Sequence, residues 1–152
     1  DRSVSRGLGD VYKRQIDNNA KIYADVKTWC ICKGFVDYIC PQLYYSLDNP
    51  ALTFEDSLTA WSNLDINKSV KLYVGLAGYK ANSDADEGTW LYSNNILADE
   101  YKTAVNNEKV SGIMLYSYSA LKDENASTEI ANLTKAMSNN LDAENQTTVP
   151  IQ

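Results

Sequence analysis

The chain has 152 residues, of which 44% are hydrophobic and 22% are charged, an ordinary composition for one globular domain. Its formal net charge of −6 argues against nucleic acid as the main partner, because phosphate binding needs clustered Lys and Arg. No apolar run reaches the roughly 18 residues that a membrane span requires, so the sequence does not support such a span.

The numbers of aromatic, cysteine and histidine residues limit the kinds of functional site that the chain can form. Eleven Tyr and three Trp are compatible with ordinary packing or with a sugar site, where flat rings cover the apolar faces of a saccharide. Three Cys and no His cannot complete a zinc site or a Ser-His-Asp triad, so we predict no metal and no cofactor. We expect Cys30, Cys32 and Cys40 to be three small buried thiols.

The first 15 residues differ from the rest of the chain. They lack apolar periodicity and have neither the apolar core nor the cleavage site of a signal peptide. The string SVSRGLGDVYKRQ resembles peptides translated from sequencing-adapter sequence at the ends of metagenomic contigs. We therefore expect residues 1–15 to be a non-native or disordered leader, with the native chain beginning near Ile16 and its gene cut at the 5′ side.

Helical and strand patterns alternate from there onward. Lys33-Gly34 is a plausible end for the first helix, and Thr53 and Ser127 are candidate caps for two others. In chain order the sequence predicts a helix at 20–33, a strand at 36–44, a helix at 54–63, a strand at 70–77, a loop at 78–88, a helix at 89–107, a strand at 112–118 and a last helix from 127. Alternating strands and helices imply a parallel sheet of the α/β class. We expect the domain to span 16–137, followed by a polar tail or linker at 138–152.

Side-chain periodicity predicts which faces are buried. In the second strand, Leu72, Val74 and Leu76 should meet helices, while the small residues on the other face line a crowded interior. The helix at 89–107 should bury a stripe of Leu97, Tyr101, Ala104 and Val105, and the last helix a stripe of Ile130, Leu133, Thr134 and Met137.

The carboxyl ends of the three strands carry the candidate binding residues. In a (β/α) barrel, functional side chains lie at this edge. Gln42 can donate to and accept from a sugar hydroxyl, or bond another strand; Tyr44 shares its face and is a better candidate than Tyr45. Lys80 can steady a polar substrate, although an exposed lysine is the commoner outcome. The predicted substrate-binding set is Gln42, Tyr44, Tyr45, Tyr79, Lys80, Tyr116 and Tyr118. We expect Trp29 and Trp61 to pack in the core, and Trp90 either to pack or to overhang the site.

Several segments together resemble a known family. They are YADVKTW (23–29), FVDYICPQLYYS (35–46), the Trp61 helix, VKLYVGLAGYK (70–80), Trp90 and SGIMLYSYSAL (111–121). In order and spacing they resemble the glycosyl-hydrolase-like 10 proteins, bacterial (β/α)8 TIM barrels, although that family often has Trp where this chain has Tyr45. The resemblance implies that the chain supplies strands six to eight, that the parent protein cleaves glycosidic bonds of a polysaccharide, plausibly cell-wall glycan, and that it acts in the bacterial envelope or outside the cell.

The catalytic residues are not identified by the sequence. Glycoside hydrolysis usually needs two carboxyl groups, and Asp37, at the start of its strand, and the loop acids Asp84, Asp86 and Glu87 make no convincing pair. The resemblance implies that the acids lie upstream, so we expect this fragment to be inactive and, with two unpaired sheet edges, prone to aggregation. A non-catalytic carbohydrate-binding or scaffold barrel is the alternative, and a third possibility is a barrel hydrolase of different chemistry whose ligands lie upstream.

Overall fold

A computed structural model of the chain describes residues 25–147. The main elements are α1 (Val26–Ile31), β1 (Tyr38–Ile39), α2 (Phe54–Ser62), β2 (Lys71–Ala77), α3 (Ile96–Val105), β3 (Val110–Tyr116) and α4 (Ser127–Thr147). Short 3-10 helices cover Gly78–Lys80, Thr89–Leu91 and Tyr118–Lys122. No helix in this part of the chain has the length and apolar character needed to span a membrane.

The three strands form one parallel sheet in the order β1-β2-β3. A helix lies in the connection between each pair of neighbouring strands, as parallel pairing requires. The mixed α/β architecture is confirmed, and it is consistent with part of a TIM-barrel-like fold. Which barrel strands these are stays a prediction.

β1 is much shorter than the predicted strand because Pro41 interrupts it. Proline has no backbone N–H and cannot donate to a sheet ladder. The pairing nevertheless resumes beyond it. Gly75 N donates to Pro41 O at 2.9 Å, Leu43 N donates to Gly75 O at 3.1 Å, and Gln42 forms an isolated bridge with Gly75. The chain therefore stays beside β2 as far as the predicted strand end.

One face of the sheet is covered by helices and holds the core. Leu72, Val74 and Leu76 of β2 are buried there, as the alternation predicted. The core also contains Leu43, Phe54, Leu58, Trp61, Trp90, Leu97, Tyr101 and Ala104. On the other face, Tyr38, Met114 and Tyr116 are exposed. The two faces thus differ strongly in their access to solvent.

The helices preceding and following β2 agree with the sequence to different degrees. α2 begins as predicted, with Thr53 Oγ1 accepting from Asp56 N at 3.1 Å. The predicted start of a long helix at residue 89 is wrong, because only a 3-10 turn forms there and α3 begins at Ile96. The buried stripe of Leu97, Tyr101 and Ala104 is confirmed, with Val105 half-buried.

The last helix differs from its prediction in its face and length. Leu133 is buried and Ile130 half-buried, but Thr134 and Met137 are exposed, so that part of the predicted stripe is wrong. Glu129 is buried instead, and its carboxylate accepts from backbone N–H groups at the start of α3. Ser127 Oγ donates to Glu124 O at 2.7 Å. α4 continues to Thr147, whereas the sequence predicted a polar tail from residue 138.

The remaining sequence predictions concern the first helix and the cysteines. α1 ends at Ile31, and Gly34 has a φ of +94°, as a helix stop at this glycine predicts; residues 20–24 of the predicted helix lie outside the described residues. All three cysteines are free thiols. Cys30 is buried, but Cys32 is exposed and Cys40 half-buried, so the prediction of three buried thiols is wrong. Trp61 is buried in the core, and Trp29 is only half-buried.

Candidate functional site

Three tyrosines from the three strand ends form one cluster at the carboxyl edge of the sheet. Tyr44 follows residues 41–43, which pair with β2 beyond the end of β1 and which we call the β1 extension. Tyr79 follows β2, and Tyr116 ends β3. The ring centroids of Tyr44 and Tyr116 are 5.9 Å apart with planes 27° from parallel. Tyr79 meets Tyr44 edge-on at 5.8 Å and Tyr116 edge-on at 5.9 Å. We call these three residues the tyrosine cluster.

The tyrosine cluster is accessible to solvent. Tyr79 is 49% exposed and Tyr116 57% exposed, whereas Tyr44 is half-buried. Burial raises the pKa of the Tyr44 phenol, and neighbouring Tyr79, Cys40 and Tyr116 act in the same direction. Tyr44 therefore stays a neutral hydroxyl at physiological pH. A set of ring faces with hydroxyls at their tips suits a ligand with both apolar faces and polar edges.

Gly75 allows the β1 extension and the Tyr44 ring to come close to β2. A Cβ at this position would lie 3.0 Å from Pro41 O, 3.4 Å from Gln42 Cα and 3.5 Å from Tyr44 Cε1. The first distance is shorter than comfortable van der Waals contact, and the atom it meets is backbone. Gln42 itself is exposed beside this contact. The missing side chain at Gly75 is thus a requirement for the placement of Tyr44.

Lys80 is next to Tyr79 in the sequence, and its side chain belongs to a network of hydrogen bonds. Its Nζ donates to Tyr44 O at 2.7 Å and to both carboxylate oxygens of Asp86 at 2.9 Å. Asp86 Oδ2 also accepts from Trp90 Nε1 at 2.9 Å. Trp90 is fully buried, so the packing alternative for this residue is the one observed.

The sequence predicted Asp86 to be a solvated loop acid, and its role in this network was missed. Burial raises its pKa, but hydrogen bonds from Trp90 and Lys80, with the Lys80 charge and Asn49, outweigh burial, so the pKa is lowered. Asp86 is therefore an ionised partner of Lys80. The signal in the sequence was the spacing of Asp86 and Trp90 four residues apart in a loop that follows Lys80, which is weak without the fold.

The other candidate residues lie outside the tyrosine cluster. Tyr45 is half-buried, and alternation along the chain turns it away from Tyr44. Tyr118 is 69% exposed, and Lys122 Nζ lies 4.9 Å from its ring centroid. The structure thus brings together Tyr44, Tyr79 and Tyr116, with Lys80 behind them. The assignment of all these residues to a substrate stays a prediction.

Two glutamates are closed to solvent. Glu129 of α4 accepts from Ile96 N and Leu97 N, each at 3.0 Å; burial raises its pKa, and these two hydrogen bonds oppose the rise. Both carboxyl oxygens of Glu100 are buried and without a hydrogen-bond partner in the part of the chain described. Burial, followed by the negative charge of Glu129, raises the pKa of Glu100 well above its ordinary value. Neither side chain is open to a substrate.

The fold and the tyrosine cluster are consistent with a barrel-like α/β protein, a class that carries its sites at this edge of the sheet. Comparison with known families identifies it further. The chain belongs to the glycosyl hydrolase-like 10 family, whose model matches residues 9–92, more than half of the chain. The match begins inside the segment 1–15 that we predicted to be a leader, and that boundary stays a prediction.

Two relatives illustrate the similarity. The chain is 38% identical over 78 residues to Glycosyl hydrolase YngK of Bacillus subtilis (strain 168), covering 51% of this chain and 15% of that protein. It is 26% identical over 97 residues to Glycosyl hydrolase DigH of Escherichia coli (strain K12), covering 62% of this chain and 22% of that protein. The chain therefore spans less than a quarter of the length of either relative. These names support a function related to glycoside hydrolysis.

Proposed function

We propose that this chain is the C-terminal part of a glycoside hydrolase barrel, strands six to eight, and that it binds a glycan through the tyrosine cluster. The substrate is a bacterial polysaccharide, with cell-wall glycan as the leading candidate. The catalytic carboxylates lie in the parent protein outside this chain. The observation that carries the proposal is the convergence of Tyr44, Tyr79 and Tyr116, from three strands, on one exposed patch.

The geometry of the tyrosine cluster supports sugar binding for a physical reason. A pyranose ring has apolar C–H faces and a polar rim, and it packs well against an exposed aromatic face. Tyr116 and Tyr79 are both about half exposed and nearly perpendicular, with an interplanar angle of 89°. Together they form a corner that can contact one face and one edge of a sugar unit, while Gln42 is exposed nearby to bond a hydroxyl.

Binding and turnover test different parts of the proposal. Isothermal titration calorimetry measures the binding of soluble cell-wall oligosaccharides to the 152-residue chain. We expect Tyr79→Ala and Tyr116→Ala each to weaken binding by about three- to tenfold, since an aromatic contact contributes roughly 0.5–1.5 kcal/mol. Tyr38→Ala is the matched control, because Tyr38 is an exposed tyrosine at the opposite end of β1.

The same oligosaccharides are then assayed for release of new reducing ends. We expect no turnover by the 152-residue chain and measurable turnover by the protein encoded by the complete open reading frame. Turnover by the chain alone would show that its own acids catalyse the reaction. Binding without turnover by the complete protein would favour a non-catalytic carbohydrate-binding barrel. If Tyr79→Ala, Tyr116→Ala and Tyr38→Ala all bind the glycan as tightly as the wild-type chain, the tyrosine cluster is excluded as the glycan site.

A further inference from the structure

We propose that Lys80 and Asp86 are positioning residues that hold the tyrosine cluster in place, and that Lys80 does not contact the glycan. This inference rests on the proposed function, and it replaces a direct contact between Lys80 and the substrate with an indirect role. It follows from the geometry of one ion pair and from the hydrogen bond that joins Lys80 to the loop after β1.

The donors of Lys80 are already occupied by the protein. A lysine ammonium group has three N–H donors and no acceptor. Lys80 Nζ has three acceptors within hydrogen-bond distance, namely Tyr44 O at 2.7 Å and both Asp86 carboxylate oxygens at 2.9 Å. The side chains of Lys80 and Asp86 are only 15% and 17% exposed. A sugar hydroxyl or carboxylate would have to displace one of these acceptors to reach the ammonium group.

The positions of the partners explain what the pair does. Lys80 is adjacent in sequence to Tyr79 and donates to the backbone carbonyl of Tyr44, so one ammonium group connects two members of the tyrosine cluster. This hydrogen bond joins the backbone at Tyr44 to the chain after β2, in addition to the Gly75 pairing and the contact between the Tyr44 and Tyr79 rings. The distance between the Tyr44 and Tyr79 rings therefore depends on this lysine.

Asp86 holds the Lys80 ammonium group through its carboxylate, and its own position is fixed by other contacts. Its backbone has a φ of +53°, in the left-handed region that aspartate tolerates better than most residues. Its Oδ2 accepts from the buried Trp90 Nε1, which fixes the carboxylate against the core. The backbone carbonyl of Asp86 accepts from Thr89 Oγ1 at 3.0 Å. Three separate contacts thus hold this aspartate in one orientation.

A second hydrogen bond connects the loop after β1 with the loop after β2. Thr89 Oγ1 lies 2.6 Å from Ser46 Oγ, and both side chains are buried. Ser46 follows Tyr44 and Tyr45 in the loop after β1, and Thr89 belongs to the loop that carries Asp86. The loop after β2 is therefore bonded to the loop after β1 at two points.

The ion pair also bears on the kind of sugar that the site takes. Because the Asp86 carboxylate neutralises Lys80, the positive charge is not available to attract an acidic sugar. The tyrosine cluster offers rings and hydroxyls, which recognise neutral saccharide units as well as charged ones. We therefore expect oligosaccharides that contain acidic muramic acid to bind with an affinity that changes little with salt concentration.

Asp86→Asn separates the two roles of Lys80. If Lys80 contacts the glycan, removing its intramolecular partner frees N–H groups and leaves binding unchanged or stronger, above all for oligosaccharides that contain acidic muramic acid. If Lys80 and Asp86 position the rings, Asp86→Asn weakens binding of the neutral oligosaccharide by about three- to tenfold, the effect of one misplaced aromatic contact. Asp99→Asn is the control, since it breaks an exposed ion pair with Lys102.

Two further variants keep the test decisive if Asp86→Asn folds poorly. Lys80→Met removes the ammonium group and leaves Asp86 in place, and it should weaken binding of the neutral oligosaccharide by the same three- to tenfold. Where Asp86→Asn folds, the double variant should bind no more weakly than Lys80→Met alone, because both changes break one network. Trp90→Phe removes the indole N–H but also leaves a cavity, because Trp90 is fully buried and phenylalanine is smaller, so it tests the packing of the loop together with the hydrogen bond. Binding is compared at a temperature where thermal unfolding shows every variant to be folded.

A measurement that needs no glycan completes the design. With 3-fluorotyrosine in the chain, the ¹⁹F signals of Tyr44, Tyr79 and Tyr116 should shift in Asp86→Asn, while that of Tyr38 should not. Unshifted signals and unchanged affinity would overturn the positioning role while leaving the glycan site intact. A wild-type chain that binds no oligosaccharide would defeat the proposed function instead, and the ¹⁹F spectra would still decide whether the ion pair positions the rings.

Discussion

Glu129 stabilises α3 from a different helix, and its removal should cost much of the stability of the chain. Ile96 and Leu97 are the first two residues of α3, and their backbone N–H groups have no partner within the helix. Asn95, at the N-cap position, makes no side-chain capping bond. The Glu129 carboxylate takes this role, accepting from both N–H groups at 3.0 Å.

The magnitude follows from the two hydrogen bonds. In Glu129→Ala, two buried backbone donors lose their acceptor, and each costs about 1–3 kcal/mol. The expected loss is therefore about 2–6 kcal/mol, against a total of roughly 5–15 kcal/mol for a typical domain. With a urea m-value of about 1–3 kcal/mol/M, the unfolding midpoint should fall by about 1 M or more.

Urea unfolding followed by far-UV circular dichroism measures this loss directly. Glu124→Ala is the matched control, because Glu124 is exposed and close to the start of the same helix, and surface changes usually stay within about 0.5 kcal/mol. Amide hydrogen exchange adds a local measurement, in which Ile96 and Leu97 should lose protection in Glu129→Ala. If the midpoint of Glu129→Ala matches that of the control, Glu129 does not cap α3 in the way described.

Two other substitutions test the interior. Glu100→Met should stabilise the chain at neutral pH, because both buried carboxyl oxygens lack partners and methionine fills a similar volume. The raised pKa of Glu100 means that the native state keeps a proton that the unfolded chain releases, so wild-type stability declines as pH rises above the ordinary glutamate pKa, and the advantage of Glu100→Met should grow with it. Thermal unfolding of both proteins from pH 4 to pH 8 checks this, and an advantage that shrinks toward high pH would contradict it. Gly75→Ala should destabilise the chain by about 1–3 kcal/mol and weaken glycan binding, because its Cβ would press on Pro41 O at 3.0 Å. Unfolding midpoints and calorimetry measure the two effects, and a variant with wild-type values in both would show that the β1 extension adapts freely.

The parallel sheet and its buried face were predictable because they depend on local pattern. The apolar run of β2 alternates over its whole length, and Leu72, Val74 and Leu76 face the core as expected. Pro41 was visible in the sequence, but alternation alone did not show that it would divide the predicted strand. The start of α3 was misplaced because the prediction included Trp90 and Leu91, which form a 3-10 turn that polar residues 93–95 separate from the helix.

Contacts between distant residues account for what the sequence did not predict. Glu129 is a charged residue that periodicity assigns to solvent, and only the packing of α4 against the start of α3 turns it inward. Lys80 was predicted to contact the substrate because it ends a strand, whereas its partner Asp86 lies in a loop without regular pattern. Tyr44, Tyr79 and Tyr116 lie at strand ends as predicted, but their mutual ring geometry depends on the register of three strands, and their role in binding stays a prediction.

Glycan binding by the tyrosine cluster is tested most directly by an NMR titration of the ¹⁵N-labelled, 3-fluorotyrosine-labelled chain with cell-wall oligosaccharides. We expect the ¹⁹F signals of Tyr44, Tyr79 and Tyr116 to move together, with amide shifts confined to the carboxyl ends of β1, β2 and β3. Shifts centred on another surface of the described chain, with these three tyrosine signals unmoved at saturation, would contradict it.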